Sequence, residues 1–204
     1  MLTPLRSEHV KRTAAMLAHA FEVDAAYRYL FPDPQQRPRG LEDFFARNLR
    51  THLPYRCTQV VLDDRSEPFA TVTVRPPGGI HISTLTMLRR GLLPFALAHG
   101  RAAVERLFWL KRTYDALEAD ASRGEPHFHV HMMAVAPDRQ GRGEGGRLLE
   151  RVLASATAAP IVLTTHLAIN VAFYQRAGFI VVDERTLQPP GADPYPVWSM
   201  RRSS

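Results

Sequence analysis

A chain of 204 residues, of which 45% are hydrophobic and 23% charged, has the composition of an ordinary globular protein. One domain is expected, because a chain of this length can bury a sizeable single core. The lone Cys57 excludes an internal disulfide and is typical of a reducing compartment. The sequence shows no apolar run of the roughly 20 residues that a membrane span needs, and no secretory apolar segment at its start. These features favour a cytoplasmic protein with no membrane partner.

The net charge of +6 and the pI of about 10.0 raise the question of a nucleic-acid partner. The arginines are scattered along the chain, and there is no zinc-finger, helix-turn-helix or RNA-binding signature. A polyanionic cofactor would account for part of the positive charge, and an arginine-rich, lysine-poor composition accounts for more. We therefore expect no nucleic-acid partner.

The first half of the chain is predicted to alternate helices with a hairpin. Ser7 is a suitable N-cap for the first helix. The turn sequence DDRSEP separates two β-branched runs, which predicts a hairpin. Pro94 is the candidate break in a long run of helical spacing. In chain order, the predicted elements are a strand at 2–5, a helix from Ser7 to Phe21, a short helix ended by Pro32 and Pro34, an amphipathic helix at 41–53, strands at 58–62 and 69–74, and a helix from Met87 to about Ala121.

The stretch from His127 to Glu150 joins a predicted strand to a predicted helix through a loop with four glycines. Pro137 ends the strand, and the apolar spacing after Gly146 predicts a helix to about Thr157. On an ideal strand, alternate residues share a face, here His127, His129, His131, Met133 and Val135. The remaining predicted elements are a strand at 160–165, a helix at 170–177, a strand at 179–183, a loop at 189–196 and a strand at 197–201.

A glycine-rich loop at a helix N-terminus, such as the one at 141–146, is a suitable binding site for a phosphate group. The N–H groups of the first turn are unpaired, the helix dipole is positive there, and glycine lets an anion approach closely. Arg139, Arg142 and Arg147 would add positive charge at the same place.

Two familiar phosphate loops do not fit. Gly141, Gly143 and Gly146 satisfy G-x-G-x-x-G, but a dinucleotide-binding loop follows the first strand of a βαβ unit, with an acidic residue about 20 positions further on. Here the loop comes late, and the next predicted strand ends without an acid. The Walker A pattern fails because no Gly-Lys-Ser/Thr follows.

The pattern that does fit is Q-x-x-G-x-G, met by Gln140, Gly143 and Gly145, and it resembles the acetyl-CoA pyrophosphate loop of the GNAT N-acetyltransferase superfamily. A second block, NVAFYQRAGF at 170–179, is similar to the N-x-x-F-Y-x-x-x-G-F segment of that superfamily. The two blocks stand in the expected order, joined by one predicted helix and one predicted strand. In layout, including a closing strand with Trp198, the chain most resembles the small-molecule branch that contains puromycin N-acetyltransferase.

The resemblance implies an α/β (α+β) fold, with a central mixed, mostly antiparallel twisted sheet of six to seven strands, flanked by helices and splayed at the CoA site. It implies a single N-acetyltransferase domain over residues 1–204, monomeric or homodimeric. The implied activity moves an acetyl group from acetyl-CoA to a primary amine of a small molecule, by direct transfer in a ternary complex. Two alternatives stay open: an acyl-CoA-binding module without transferase activity, and a protein N-terminal or lysine acetyltransferase.

The resemblance also implies the residues of the cofactor site. The Val135 N–H would polarise the thioester carbonyl. Tyr174 would protonate the leaving thiolate, since a phenol with a pKa near 10 is a usable acid toward a thiolate of similar basicity. Asn170 would bind the pantetheine arm or cap the helix that it opens. The predicted cofactor-binding residues are Met133, Ala134, Val135, Gln140, Gly141, Arg142, Gly143, Glu144, Gly145, Gly146, Asn170 and Tyr174.

The acceptor side needs a base, because an alkyl amine is mostly protonated at neutral pH. Members of the resembled branch often carry a glutamate in an L-E-T-S strand, where this chain has Leu163-Thr164-Thr165-His166. His166 is therefore the candidate catalytic base, with His129 and His131 as substitutes, because imidazole titrates near neutrality. The predicted substrate-binding residues are Phe21, Tyr27, Tyr29, Phe31, His129 and His131. The competing interpretation is that the aromatic residues only pack the core.

No metal is predicted. Alternating histidines at 127, 129 and 131 lack a further ligand of recognisable spacing, and no cysteine or HExxH pattern supports them.

Overall fold

The computed structural model describes residues 2–80, 87–156 and 158–203. The strands are β1 (Leu2–Pro4), β2 (Thr58–Leu62), β3 (Pro68–Arg75), β4 (Phe128–Val135), β5 (Ile161–Thr165), β6 (Ile180–Leu187) and β7 (Tyr195–Arg202). They form one open sheet in the order β1-β2-β3-β4-β5-β7-β6. Every neighbouring pair is antiparallel except β4 and β5, which run parallel. The predicted mixed, mostly antiparallel sheet is confirmed.

The helices of the described residues are α1 (Val10–Phe21), α2 (Ala25–Leu30), α3 (Arg37–His52), α4 (Leu93–Ser122), α5 (Glu144–Ser155) and α6 (Ala168–Arg176). A π-helical stretch at Met87–Leu92 leads into α4. Within the described ranges, none of these helices combines the length and the apolar character needed to cross a membrane.

Several predicted element ends are wrong. The break in α4 is at Gly100, whose φ of 76° and ψ of 175° are not helical, while Pro94 lies in the first turn, where proline is tolerated. β6 runs on to Leu187, and β7 begins at Tyr195 inside the predicted loop. The predicted last residue of α5, Thr157, lies outside the described residues.

The sheet separates two hydrophobic layers. On one face α1, α2, α3 and α4 pack together, and on the other face lie α5 and the aromatic residues of α6. The fully buried side chains of the first layer include Leu17, Leu30, Leu41, Phe45, Leu49 and Leu117. Those of the second include Leu149, Ile161, Leu163, Phe179 and Met200. The functional residues described below lie where these layers meet the ends of β4 and β5.

A β-bulge at His131 changes the faces of β4. Thr73 pairs with Met132 but Val74 pairs with Val130, so His131 is the extra residue on the β4 side. Beyond the bulge Met132 joins the first layer, whereas Val130 belongs to the second. The prediction of strict alternation along this strand is therefore wrong, because a bulge shifts the period-2 pattern by one residue.

β4 and β5 part soon after they meet. Their paired residues are Phe128 with Ile161 and His129 with Val162, although β4 continues to Val135 and β5 to Thr165. The splayed sheet predicted for this position is present. It leaves an opening whose edges are the C-terminal halves of two parallel strands.

Candidate active site

The glycine loop lies directly after the parted end of β4. Gly143 is the N-cap of α5 with φ 78° and ψ 1°, in the left-handed region that favours glycine. The Arg147 N–H donates to the Gly143 carbonyl at 3.1 Å, and this bond opens the helix. The N–H groups of residues 144–146 precede it and therefore have no acceptor within the helix. They form the kind of positive helix terminus that binds an anion.

The arginines near the loop have different partners. Arg147 donates to the Arg142 carbonyl at 3.1 Å and lies 3.0 Å from the Glu144 carboxylate, which holds the loop against the first turn of α5. Arg139 is not at the loop as predicted. Its guanidinium lies 3.5 Å from Asp63 and over the Phe69 ring at 4.9 Å, so it contacts the β2–β3 turn.

Gln140 fixes the end of β4. Its side-chain amide donates to the Val135 carbonyl at 3.1 Å. The next residue, Ala136, donates its N–H to the Phe69 carbonyl on β3 at 2.7 Å. Because backbone groups alternate along a strand, the N–H groups of Met133 and Val135 point away from β3, into the opening. The N–H of Ala134, the third predicted residue of this edge, points toward β3 by the same alternation.

Asn170 does not open α6, as one predicted role required. The helix begins at Ala168 with Leu167 as its N-cap, so Asn170 lies in the first turn. Its side-chain amide donates to the Thr165 hydroxyl at 3.1 Å, which joins α6 to the last residue of β5.

Tyr174 lies one turn further along α6. Its ring makes edge contacts with Phe173 and Phe179, with centroids 5.0 and 5.6 Å apart. Phe173 also lies against Gly145, within ordinary contact distance of where a Cβ would stand. Burial raises the pKa of Tyr174 to about 12, so the phenol keeps its proton at neutral pH. Tyr174 is therefore packed next to the glycine loop as a protonated acid.

His166, the residue after β5, lies in a chain of hydrogen bonds from four different parts of the fold. Its Nδ1 is 2.8 Å from Oδ2 of Asp24, in the α1–α2 turn. Its Nε2 is 2.6 Å from the hydroxyl of Tyr114 on α4, which is 3.1 Å from the hydroxyl of Tyr195 on β7. The other Asp24 oxygen accepts the Ala26 N–H at 3.0 Å and caps α2.

Both tyrosines that hydrogen-bond in this series, Tyr114 and Tyr195, keep their phenolic protons at neutral pH. Burial raises the pKa of Tyr114 well above its ordinary value, and Tyr195 and Asp24 raise it further. Burial raises the pKa of Tyr195 to about 12. Sequence reasoning missed Asp24, Tyr114 and Tyr195, because no motif connects residues so far apart in the chain.

His127, just before β4, and His129, on β4, contact a partly buried carboxylate, Glu118 of α4. His129 lies 2.9 Å and His127 3.1 Å from its two oxygens, and the Arg75 guanidinium donates to it. Burial alone would raise the pKa of Glu118, but His129 and Arg75 outweigh that effect and lower it to about 2. The same burial lowers the pKa of His129 in spite of Glu118, so Arg75 is the cation that balances this carboxylate.

Replacing Glu118 by glutamine is expected to lower the free energy of unfolding at pH 7 by on the order of 2 kcal/mol, the size of a pKa depression of this kind after discounting for its partial exposure. A depressed carboxylate stabilises the fold above its unfolded pKa, and this contribution disappears as the pH falls through the folded value of about 2. Urea unfolding at pH 7 and at pH 2.5 measures both quantities. A difference between parent and variant that does not shrink toward pH 2.5 would contradict the assignment.

His131 differs from its neighbours on the strand. It stands at the bulge, is exposed, and its ring stacks on His52 with centroids 5.2 Å apart. The surrounding protein atoms and the charge of Arg75 lower the pKa of His131 well below its ordinary value. An imidazole with a depressed pKa is uncharged at neutral pH, so His131 offers hydrogen bonds to a ligand without repelling a cation.

The aromatic residues predicted to line the acceptor cleft are mostly packed in the first layer. Phe21 and Tyr27 form one aromatic group with Phe44 and Phe45. Tyr29 makes an edge contact with Trp109 at 5.3 Å.

Phe31 is buried against Phe95 and His99, with centroids 6.1 and 5.1 Å away. Burial, and then the charge of Asp24, raise the pKa of Tyr27. The part of these four residues in binding an acceptor stays a prediction.

Among the described residues, no three histidine, cysteine, aspartate or glutamate side chains come together in a way that could hold a metal ion. Glu118 is bonded to Arg75 and the two histidines, which leaves its oxygens with protein partners.

The open seven-stranded sheet, the parting of β4 and β5 and the glycine loop at the start of α5 together define the GNAT acetyltransferase fold. Residues 105–181 match the family model described as acetyltransferase (GNAT) domain. The resemblance to this superfamily is therefore confirmed. A search of curated proteins by sequence finds no match.

Solved structures with the same fold cover nearly the whole chain at low identity. An acetyltransferase from Corynebacterium glutamicum, described as related to histone acetyltransferase HPA2, is 16% identical with a TM-score of 0.63, covering 100% of this chain and 96% of that one. The Drosophila melanogaster polyamine N-acetyltransferase, which forms N-acetylagmatine, is 16% identical with a TM-score of 0.62, covering 100% and 99%. A Sinorhizobium meliloti phosphinothricin acetyltransferase in complex with acetyl-CoA is 11% identical with a TM-score of 0.58, covering 100% and 87%.

Proposed function

We propose that the protein is an acetyl-CoA-dependent N-acetyltransferase that acetylates the primary amine of a small molecule by direct transfer in a ternary complex. The observation that carries this proposal is the opening between β4 and β5 immediately before the glycine loop. An opening between strands with an anion-binding helix terminus at its end suits a ligand that is extended at one end and carries phosphates at the other.

The residues at this place fit acetyl-CoA. The N–H groups of residues 144–146 would bind the pyrophosphate, with Gly141 and Gly143 allowing the loop to turn at φ values of 75° and 78°. The N–H groups of Met133 and Val135 would bind the extended arm, as an added strand is bound. Gln140 holds the Val135 carbonyl, which keeps the neighbouring N–H groups directed into the opening. The other proposed contacts are Ala134, Arg142, Glu144, Gly145, Gly146, Asn170 and Tyr174.

The chemistry assigned to the chain is polarisation and proton transfer. The Val135 N–H would stabilise the negative charge that develops on the carbonyl oxygen when the amine attacks. Tyr174 would give its proton to the departing thiolate and recover one from solvent. His166 would act on the acceptor side as the base. Bound acetyl-CoA supplies the activated acetyl group.

The charges of the side chains near the opening and the similar solved structures both bear on the class of acceptor. Asp24 is a carboxylate beside His166, while His129 and His131 have depressed pKa values and carry no charge at neutral pH. Such surroundings favour a cationic amine over an anion. Structural neighbours described as an agmatine N-acetyltransferase and a polyamine N-acetyltransferase support an amine of small size.

The proposal is tested by release of free thiol from acetyl-CoA in the presence of a panel of alkyl, aromatic and polyamines, with peptides bearing a free N-terminus or lysine as a second panel. Thiol release with small amines at rates well above those with peptides is the expected result. Release with peptides alone would indicate a protein acetyltransferase instead. Calorimetric binding of acetyl-CoA without release from any amine would favour a binding module.

A further inference from the structure

We infer that Tyr114, His166 and Asp24 form a proton relay, in which the Tyr114 hydroxyl receives the proton lost by the acceptor amine and His166, held by Asp24, takes the proton that Tyr114 gives up. This inference rests on the proposed function. It assigns catalytic roles to Tyr114 and His166 and a positioning role to Asp24. Neither Asp24 nor Tyr114 lies in a motif of the sequence.

The donors and acceptors of this hydrogen-bond series can be assigned in one way, from Tyr195 through Tyr114 and His166 to Asp24. The Asp24 carboxylate can only accept, so the Nδ1–H of His166 donates to it and Nε2 is left as an acceptor. Nε2 therefore accepts the Tyr114 O–H at 2.6 Å. The Tyr195 hydroxyl, 3.1 Å away, then donates to the Tyr114 oxygen, which keeps a second lone pair for an incoming proton.

Asp24 is itself fixed from two sides. Oδ1 caps α2 through the Ala26 N–H, and Oδ2 receives His166, so both oxygens have a defined partner. Its side chain is 12% exposed and that of His166 13%. A carboxylate that orients an imidazole and stabilises its protonated form is the arrangement by which a histidine becomes an efficient base.

The three residues of the proposed relay lie beside the opening between β4 and β5. His166 follows the last residue of β5, the strand that forms one edge of the opening. Tyr114 comes from α4 and Asp24 from the α1–α2 turn, both in the layer opposite the one that contains α5. The relay therefore lies at the end of β5, on the side of the sheet opposite α5 and the glycine loop.

The proton transfers balance. The acceptor attacks as the free amine, after its ammonium proton has gone to solvent. When the amine nitrogen bonds to the thioester carbon, it becomes positively charged and its N–H becomes acidic. That N–H breaks as an O–H forms on Tyr114, and the original Tyr114 O–H breaks as an N–H forms on His166 Nε2. The relay thus goes from a neutral imidazole to an imidazolium beside Asp24 and returns the proton to solvent. Tyr174 separately protonates the thiolate.

Other ionisable groups face this chain. Tyr27 and Tyr29 approach from α2, and Arg106 of α4 lies near Tyr29 and donates to the Leu30 carbonyl at 3.0 Å. Burial raises the pKa of Tyr27 and of Tyr29, so both are neutral at pH 7. Asp24 is then the charged group in direct hydrogen-bond contact with His166.

The protein contains a second histidine–aspartate pair that serves as a control. His99 and Asp43 form a second histidine–aspartate pair, also 2.8 Å apart and partly buried, between α4 and α3. That histidine packs on Phe31 and Phe95 rather than on a tyrosine hydroxyl. Asp43 also receives Arg47 at 2.7 Å, so a substitution of His99 removes a histidine–aspartate contact of the same length without touching the relay.

The experiment compares His166→Gln, Tyr114→Phe and Asp24→Asn with His99→Gln, using the amine that the thiol-release assay identifies and saturating acetyl-CoA. We expect kcat at pH 7 to fall roughly tenfold or more in the first three variants and to be unchanged in the control, in line with the usual contribution of general-base catalysis. The affinity for acetyl-CoA measured by calorimetry should stay the same in all four variants.

A second measurement does not depend on turnover. Nitrogen chemical shifts of the His166 ring should show the proton on Nδ1 in the parent and on Nε2 in Asp24→Asn, because the asparagine amide would donate to Nδ1 while its oxygen still caps α2. A proton on Nε2 in the parent, or full kcat in both His166→Gln and Tyr114→Phe, would overturn the relay. Failure of the proposed function would show instead as no thiol release by the parent, with the His166 tautomer unaffected.

Discussion

Replacing Gly143 by valine is expected to weaken acetyl-CoA binding by on the order of 100-fold, or about 2.7 kcal/mol. Gly143 has φ 78°, and a β-branched residue cannot hold that angle without strain. The loop would relax toward negative φ and turn the N–H groups of residues 144–146 away from a common point. Several weak bonds to the pyrophosphate would be lost together, which is why a single side chain is expected to have so large an effect.

Gly124→Val separates this loss of binding from a general effect of strain. Gly124 has φ 72° and no neighbouring atom near the position of a Cβ, as at Gly143, where the nearest atom is 4.0 Å away. It lies in the turn before β4, outside the proposed cofactor site. Calorimetric titration with acetyl-CoA and thermal unfolding of both variants make the comparison. Similar stability losses with a selective loss of affinity in Gly143→Val are expected, and equal affinities in the two variants would disprove the phosphate role of the loop.

The glycine loop could be predicted from sequence because its physics is local. A strand ended by Pro137, glycines at 141 and 143 and an apolar helical stripe after them determine the backbone within about 20 residues. The mixed, mostly antiparallel character of the sheet and the parting of β4 and β5 followed only from the resemblance, since nothing in the composition of either strand shows where their pairing stops. The structure then places the Val135 and Met133 N–H groups at that edge.

The faces of β4 could not be predicted for a physical reason. Residues 127–131 alternate histidine with an apolar residue, yet His131 bulges where β4 meets Val74 and Thr73 of β3. A bulge depends on the partner strand, not on the bulged segment alone. The break in α4 is at Gly100 and not at Pro94, where it was predicted. Proline in a first turn costs little, and the chain bends where glycine permits it.

The residues on the acceptor side were the hardest to predict from the sequence. His166 and Asp24 are 142 positions apart, and Tyr114 joins them from a helix whose apolar stripe gave no sign of a polar role. Their association is a property of packing: α4 crosses the sheet so that Tyr114 lies over the end of β5 and Glu118, one turn later, over His129. The same helix therefore contributes to both polar groups near the opening.

Replacing Tyr174 by phenylalanine is expected to lower kcat by about 100- to 1,000-fold, the usual contribution of a positioned general acid. Without the phenol, the departing thiolate must take its proton from water. The affinity for acetyl-CoA should hardly change, because the ring that packs on Phe173 and Phe179 remains. Within the described residues the Tyr174 hydroxyl makes no hydrogen bond, so its removal leaves no buried group unpaired, and the melting temperature should stay within a few degrees of the parent value.

The pH dependence gives a second check on Tyr174. Burial raises its pKa to about 12, so the acid form persists to a higher pH than an exposed phenol would allow. Turnover of the parent should therefore show no loss attributable to this residue up to about pH 10. Stopped-flow measurement of acetyl transfer from pH 6 to 10, with calorimetric affinity at each end, tests both expectations. A variant that keeps the parent turnover would remove Tyr174 as the acid, whereas a parallel loss of turnover and acetyl-CoA affinity would assign it to binding instead.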